Sequence, residues 1–192
     1  DDGFRQVANP NFWRLLNMRY VLTNSPDNIG IKELKQVAGP ARDASGSELY
    51  LHEIPFETSY AWVTPAMAKA DEASVMATVL DPRFDVRRAT VFDNSAAVKV
   101  EPLTNLPEPL AIRATVKDYS PGRATIELDG PAPAGSALMV SENWYPGWTA
   151  TIDGKTATIG KAAVSLMGIA LPAGARKVQL QFTNPPYETG KS

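Results

Sequence analysis

The strongest constraint on the fold is a strict alternation of apolar and polar residues that dominates the chain after residue 110. Apolar side chains occupy every second position from Ile112 to Val116 and again from Ala124 to Leu128, on either side of a turn-forming segment at 119–122. Successive side chains of a β-strand point to opposite faces, so this pattern indicates a hairpin with one buried and one wet face. Sixteen prolines and thirteen glycines divide the chain into short segments of this kind. We therefore expect an antiparallel β-sandwich, of jelly-roll or Ig-like type.

Further strands are expected over 137–141, 148–152, 156–159, 163–171 and 177–183, with Asp153-Gly154 supplying a tight hairpin turn. The first hundred residues mix helix and strand signals instead. Asn9-Pro10 predicts the start of a helix over 10–18, and Asp71 caps a second helix over 71–80. Strands are predicted there over 19–23, 31–37, 48–54, 60–64 and 87–92.

The proline-rich segment 101–109 is typical of a stiff linker or crossover. We therefore expect a mainly β protein with a smaller α+β subdomain over 1–104 and the antiparallel β-sandwich over 105–192.

Composition excludes several classes of function. The chain has no cysteine and one histidine, which removes thiolate zinc sites, cysteine nucleophiles and multi-histidine metal sites. A net charge of −2 without a basic stripe argues against a nucleic-acid partner. Phosphate-binding glycine motifs are absent, and no apolar run reaches the length of a bilayer span. We expect no cofactor and no metal, and because the chain begins at Asp1 without a signal sequence, we expect it to be part of a longer protein.

For His52, and for the pair Glu142 and Asp153, we compare a catalytic role with a structural one. His52 is a conceivable general base, but no serine elbow or ordered triad accompanies it, so we expect a half-buried strand histidine held by a hydrogen bond. Glu142 and Asp153 flank an aromatic segment and could form the carboxylate pair of a glycosidase. Surface charge and turn formation explain both acids equally well, and we assign no catalytic residue.

The most distinctive segment is 141–148, Ser-Glu-Asn-Trp-Tyr-Pro-Gly-Trp, which holds two of the four tryptophans. Flat rings at Trp144 and Tyr145 would suit the apolar face of a sugar, while Asn143 and Glu142 would hydrogen-bond its hydroxyl groups. These four residues are the candidate substrate-binding site. The structural alternative is core packing of the rings, which we expect for Trp148 because it shares a strand face with Ala150 and Ile152.

Several of these segments occur together in one known family. The turn at 145–148 followed by Asp-Gly-Lys at 153–155 is the most specific part, accompanied by 118–124, 171–174 and 182–190 and, upstream, by 15–23 and 49–53. Together they resemble the C-terminal region of YfhO-like bacterial membrane proteins, and the resemblance covers nearly the whole chain.

The resemblance implies a setting more than a mechanism. Such proteins are similar to polytopic GT-C glycosyltransferases, which take a sugar from a polyprenyl phosphate and attach it to cell-envelope polysaccharide or teichoic acid. Their C-terminal region lies on the extracytoplasmic face of the cytoplasmic membrane, and a final membrane helix often follows a segment like 185–190. The catalytic acid is expected near N-terminal membrane helices that this chain lacks, so none is transferred to it.

We therefore expect a noncatalytic extracytoplasmic domain of a bacterial membrane glycosyltransferase. Its partners would be its own transmembrane domain and an envelope glycan or polyprenyl-linked sugar. Two alternatives remain at this point: a purely structural lid that packs on the membrane domain, and a free-standing carbohydrate-active enzyme.

Overall fold

A computed structural model describes residues 7–27 and 29–183, and its architecture is mainly β, which confirms the predicted fold class. Two compact units are present: residues 1–59 with 80–83, and residues 60–79 with 84–192. The described helices are α1 (Pro10–Leu15) and α2 (Glu72–Val79). The described strands are β1 (Tyr20–Thr23), β2 (Lys35–Arg42), β3 (Glu48–Glu53), β4 (Ala61–Thr64), β5 (Met67–Ala70), β6 (Thr90–Asp93), β7 (Ala114–Ser120), β8 (Arg123–Leu128), β9 (Ala137–Asn143), β10 (Trp148–Ile152), β11 (Lys155–Ala157), β12 (Ile159–Ala162), β13 (Leu166–Ala170) and β14 (Lys177–Phe182).

The first unit contains α1 and a three-stranded antiparallel sheet in the order β1-β3-β2. Its small core is built on Trp13, Ile31 and Ile54. Asn9 caps α1 as predicted, because its side-chain oxygen accepts a hydrogen bond from the Asn11 backbone N–H at 3.0 Å. The helix ends at Leu15 rather than at residue 18, since Asn17 adopts a left-handed conformation with φ of 49°.

His52 lies on β3 and is buried, with 1% of its surface exposed, which is deeper than the half-buried position predicted. The predicted hydrogen bond is present: His52 Nε2 lies 3.0 Å from Thr23 Oγ1. Thr23 donates its own hydroxyl proton to the Ser25 carbonyl at 2.6 Å, so its oxygen is left to accept from His52. This assigns the proton to Nε2 and makes His52 a satisfied structural residue of the first unit.

The second unit is a two-sheet sandwich. One sheet has five antiparallel strands in the order β11-β10-β14-β8-β7, and the other has six in the order β4-β9-β13-β12-β6-β5. The predicted hairpin of β7 and β8 is confirmed, with its buried face formed by Ala124, Ile126 and Leu128. One continuous apolar core joins these residues to buried side chains of the six-stranded sheet, among them Leu138 and Ile169.

An additional βαβ segment completes the six-stranded sheet. β5 and β6 pair in parallel and are connected through α2, an arrangement that the sequence did not predict. The ring of Phe92 on β6 is fully buried and lies over Gly160 and Gly168, which are paired across β12 and β13. A Cβ on Gly168 would lie 2.5 Å from the ring, so the two glycines leave the space that the phenylalanine occupies.

The predicted boundary between residues 104 and 105 stays a prediction, whereas the contact-defined units divide between Ser59 and Tyr60. β4, β5 and β6 lie before residue 104 in the chain, yet they belong to the six-stranded sheet of the second unit. There β4 pairs with β9 and β6 pairs with β12, so that the edges of β9 and β12 are covered. The proline-rich segment 101–109 therefore connects β6 in one sheet to β7 in the other within the second unit.

Two turns show where sequence interpretation succeeds and fails. Asp153-Gly154 forms the predicted reversal between β10 and β11, with φ of 49° and 82°. The predicted continuous strand over 163–171 is wrong at its start, since Ala163 and Val164 also have positive φ, 44° and 76°, and form a turn before β13. Because a β-branched residue rarely adopts this conformation, no local signal predicts the turn.

We expect Gly168→Ala to destabilise the second unit, because the new methyl group must displace the buried Phe92 ring. Overpacking of this kind costs about 1–3 kcal/mol, which urea unfolding would measure. Gly130→Ala is the matched control, since a Cβ there would make an ordinary contact, 3.5 Å from Ile112 Cγ1. Equal unfolding midpoints for both variants and the wild type would contradict this packing.

Asp71 generates a pH-dependent contribution to stability. Its carboxylate accepts from the Ser74 backbone N–H at 3.0 Å and from the Ser74 hydroxyl at 2.8 Å, and these bonds lower the pKa of Asp71 below its ordinary 3.8. A carboxyl group whose pKa is lower in the folded state than in the unfolded state stabilises the fold at pH values above its unfolded-state pKa. That stabilisation is lost as the pH falls through the pKa of the folded state. Asp71→Asn keeps an acceptor that does not titrate.

We therefore expect the thermal midpoints of wild type and Asp71→Asn to differ more at neutral pH than at about pH 2. A difference that is the same at both values would show that the Asp71 cap does not titrate in this way.

Candidate functional site

The four residues of the predicted site lie at the end of β9 and in the loop before β10. Glu142 is half-buried, Asn143 is exposed, Trp144 is half-buried against the sandwich core, and Tyr145 is 59% exposed. The loop is held in place by hydrogen bonds to neighbouring turns. Trp144 donates its backbone N–H to the Ser165 carbonyl at 2.7 Å, and Asn143 accepts from the Ser165 hydroxyl at 3.2 Å.

Gly147 fixes the other side of this loop. Its φ of 113° is a left-handed conformation, and a Cβ there would overlap the Thr183 carbonyl oxygen. The Thr183 backbone N–H donates to the Gly147 carbonyl at 3.0 Å, and the Trp148 and Phe182 rings pack with centroids 5.4 Å apart. The Pro-Gly turn is therefore tied to the end of β14, so that Tyr145 projects from a constrained loop.

The structure adds two tyrosines that the sequence did not indicate. Tyr60 donates its hydroxyl to Glu142 Oε2 at 3.2 Å, although the two residues are 82 positions apart. Its ring packs edge-to-face on Tyr119, with centroids 5.7 Å apart, and Tyr119 is 57% exposed. Tyr60 precedes β4 and Tyr119 is the penultimate residue of β7, so segments from both sheets contribute to this site. We name these residues and the predicted four the aromatic corner: Tyr60, Tyr119, Glu142, Asn143, Trp144 and Tyr145.

The Tyr60–Glu142 pair determines the charge at the aromatic corner. Burial of the ring raises the pKa of Tyr60 well above its ordinary 10.0, and the negative charge and hydrogen bond of Glu142 raise it further. Tyr60 therefore remains a protonated donor that orients the Glu142 carboxylate. A carboxylate has about four lone-pair positions, so Glu142 can accept further hydrogen bonds from a ligand.

The suggested glycosidase pair does not come together. Glu142 lies at the end of β9, beside the turn at Ser165, whereas Asp153 follows β10 at the opposite end of the sandwich. β10 has five residues, so its first and last Cα atoms are separated by roughly 13 Å. Asp153 accepts from the backbone N–H groups of Arg176 and Lys177 at 3.2 and 3.0 Å, which fits its predicted role in a turn.

The described part of the chain contains no group of three His, Cys, Asp or Glu residues arranged to hold a metal ion. Within residues 7–27 and 29–183, neither helix has the length and apolar character needed to cross a membrane. The predicted exit segment 185–190 lies outside the described residues.

Residues 102–191 match a family model described as bacterial membrane protein YfhO. No curated protein and no solved structure matches the chain. The match includes the Tyr-Pro-Gly-Trp loop and Asp153-Gly154-Lys155, while the upstream segments 15–23 and 49–53 lie outside it and stay predictions. The C-terminal part of this chain, residues 102–191, is a YfhO-like region.

Proposed function

We propose that this chain is a noncatalytic extracytoplasmic part of a bacterial membrane glycosyltransferase and that its aromatic corner binds envelope glycan. The match to a membrane-protein family supports the membrane setting. The glycosyltransferase activity and the extracytoplasmic location rest on the resemblance of the sequence. The partners in this proposal are the transmembrane domain of the same protein and a cell-envelope polysaccharide, teichoic acid or polyprenyl-linked sugar.

The observation that carries glycan binding is the pairing of exposed tyrosine faces with an oriented carboxylate. Tyr145 and Tyr119 each leave more than half of their surface exposed, and Glu142 is held by Tyr60 within the same corner. Sugars present an apolar face of C–H groups and a rim of hydroxyl groups. Tyrosine rings can stack on the C–H face of a sugar, and a carboxylate can accept hydrogen bonds from its hydroxyl groups. Packing of the protein core does not require these rings or this carboxylate to be exposed.

The same geometry argues against hydrolysis at the aromatic corner. Hydrolysis of a glycosidic bond generally uses two carboxyl groups about 5 to 10 Å apart. Glu142 has a tyrosine rather than a second acid as its hydrogen-bonding partner, and Asp153 lies at the other end of the sandwich. Binding without bond cleavage is therefore the chemistry that these residues support.

A second function, structural packing on the membrane domain, is favoured by an independent observation in the first unit. Tyr20 and Leu22 are exposed on β1, the edge strand of the three-stranded sheet, and Leu16 and Met18 are exposed just before it. Exposed apolar groups in such proximity commonly mark contacts with another protein or a membrane. This function does not require the aromatic corner, so the two proposals are separable by mutation.

We expect Tyr145→Ala to weaken binding of envelope glycans, because it removes an exposed ring without disturbing the core. Loss of an aromatic contact costs about 1 kcal/mol, or roughly a fivefold increase in Kd, which titration calorimetry with fragments identified on a glycan array would measure. Glu142→Gln should weaken the binding of the same fragments, because it removes the charged hydrogen-bond acceptor. Tyr20→Ala is the matched control, since Tyr20 is an exposed tyrosine of the other unit.

An equal loss in Tyr20→Ala and Tyr145→Ala would contradict a site at the aromatic corner. If no envelope glycan binds at all, while Leu22→Ser weakens association with the membrane domain, the structural function replaces the glycan-binding one.

A further inference from the structure

A concave site lies in the sandwich, at the end opposite the aromatic corner. It is a cleft of about 590 Å³ between strand β11 and the segment at 97–99 that follows β6. The Asp153-Gly154-Lys155 turn and the segment at 172–175 line it, so two of the motifs noted in the sequence meet in one place. The volume lies within the range of small-molecule sites, about 300 to 1,000 Å³. We name this site the lysine cleft.

The charge of the lysine cleft is positive. Lys99 and Lys155 line it from opposite segments, and among the described residues neither has an ion-pair partner. Asp153 is the single acid of its lining, and both of its carboxylate oxygens accept backbone N–H groups, from Arg176 and Lys177. Those bonds direct the carboxylate to the backbone, while its negative charge offsets one of the two ammonium charges and leaves the lining with an excess of one positive charge.

Both lysines are carried by ordered backbone. Lys155 opens β11 directly after the tight turn at Gly154, where it pairs with Ile152 of β10. Lys99 follows Val98, which is buried, and the Ala96 carbonyl accepts a hydrogen bond from Lys69 Nζ at 2.5 Å. The sandwich therefore fixes the backbone from which each lysine side chain extends.

The chemistry of the lining distinguishes it from the aromatic corner. It contains no aromatic residue, and its walls are small side chains such as Ala157 and Pro172, so it offers no ring on which a sugar could stack. Its polar side chains are those of the two lysines, of Asp153, and of Thr156 and Thr158. Ammonium and hydroxyl donors together suit the several oxygen atoms of a phosphate, which offers more acceptors than a carboxylate does.

We propose that the lysine cleft binds the phosphate group of a phosphate ester. This site is independent of the aromatic corner, because it lies at the other end of the strands and uses different residues. A soluble phosphate ester and the headgroup of a phospholipid present the same chemistry, and the experiment below separates these two sources.

The test uses the full 192-residue chain labelled for amide NMR, titrated with glycerol phosphate at constant ionic strength, and with vesicles of phosphatidylcholine alone or mixed with phosphatidic acid. We expect the amides of 97–99 and 153–158 to shift with saturation. The double variant Lys99→Gln, Lys155→Gln should raise the apparent Kd by at least about tenfold, because both ammonium groups are lost. Lys117→Gln, an exposed lysine of β7 outside the cleft, is the matched control and should bind as the wild type.

Saturable shifts with glycerol phosphate identify a soluble ester, and shifts only with the phosphatidic acid vesicles identify a lipid headgroup; either result supports the site. The proposal is overturned if no cleft amide shifts with either probe, or if the double variant and Lys117→Gln have the same Kd as the wild type. Because glycans and the Tyr145→Ala variant are absent from this experiment, its failure leaves the proposed glycan binding unaffected.

Discussion

Burial of apolar strand faces between two sheets is the interaction on which the second unit depends. Ile126 and Leu180 from the five-stranded sheet share one core with Leu138 and Ile169 from the six-stranded sheet, and all four are almost completely buried. Each such side chain stabilises the fold by about 1.5–3 kcal/mol relative to its exposed state. Because the core occupies the inner faces, groups open to a ligand lie on the rims and the outer faces, and both candidate sites are at the ends of the strands.

The two ends of the sandwich differ in chemistry. The aromatic corner combines tyrosine faces with one oriented carboxylate, whereas the lysine cleft combines ammonium and hydroxyl groups with small apolar walls. β10 connects them, since Trp148 at its start packs near the aromatic corner and Asp153 after its end lines the cleft. The two candidate sites therefore lie within the same unit, at opposite ends of one five-residue strand.

Local sequence patterns predicted hairpins and turns of the sandwich, but they did not predict contacts between segments that are distant in the chain. The alternation around Ile126 and the Asp153-Gly154 turn are encoded within a few residues, so the β7–β8 hairpin and the β10–β11 reversal could be predicted. The parallel pairing of β5 with β6 and the contact of Tyr60 with Glu142 depend on segments that meet only in the folded chain. No pattern within one segment reports such a partner. The four predicted site residues stay a prediction, to which the folded chain adds Tyr60 and Tyr119 as neighbours of Glu142.

The position of β14 in its sheet has a consequence for biogenesis. β14 lies between β10 and β8 and hydrogen-bonds to both, although it follows every other described strand in the chain. While the ribosome is still synthesising residues 177–182, β8 and β10 each have an open edge, and their apolar faces lack Val178 and Leu180. The sandwich therefore closes only after its last strand has emerged, so a nascent chain must be kept from pairing these edges with other proteins until then.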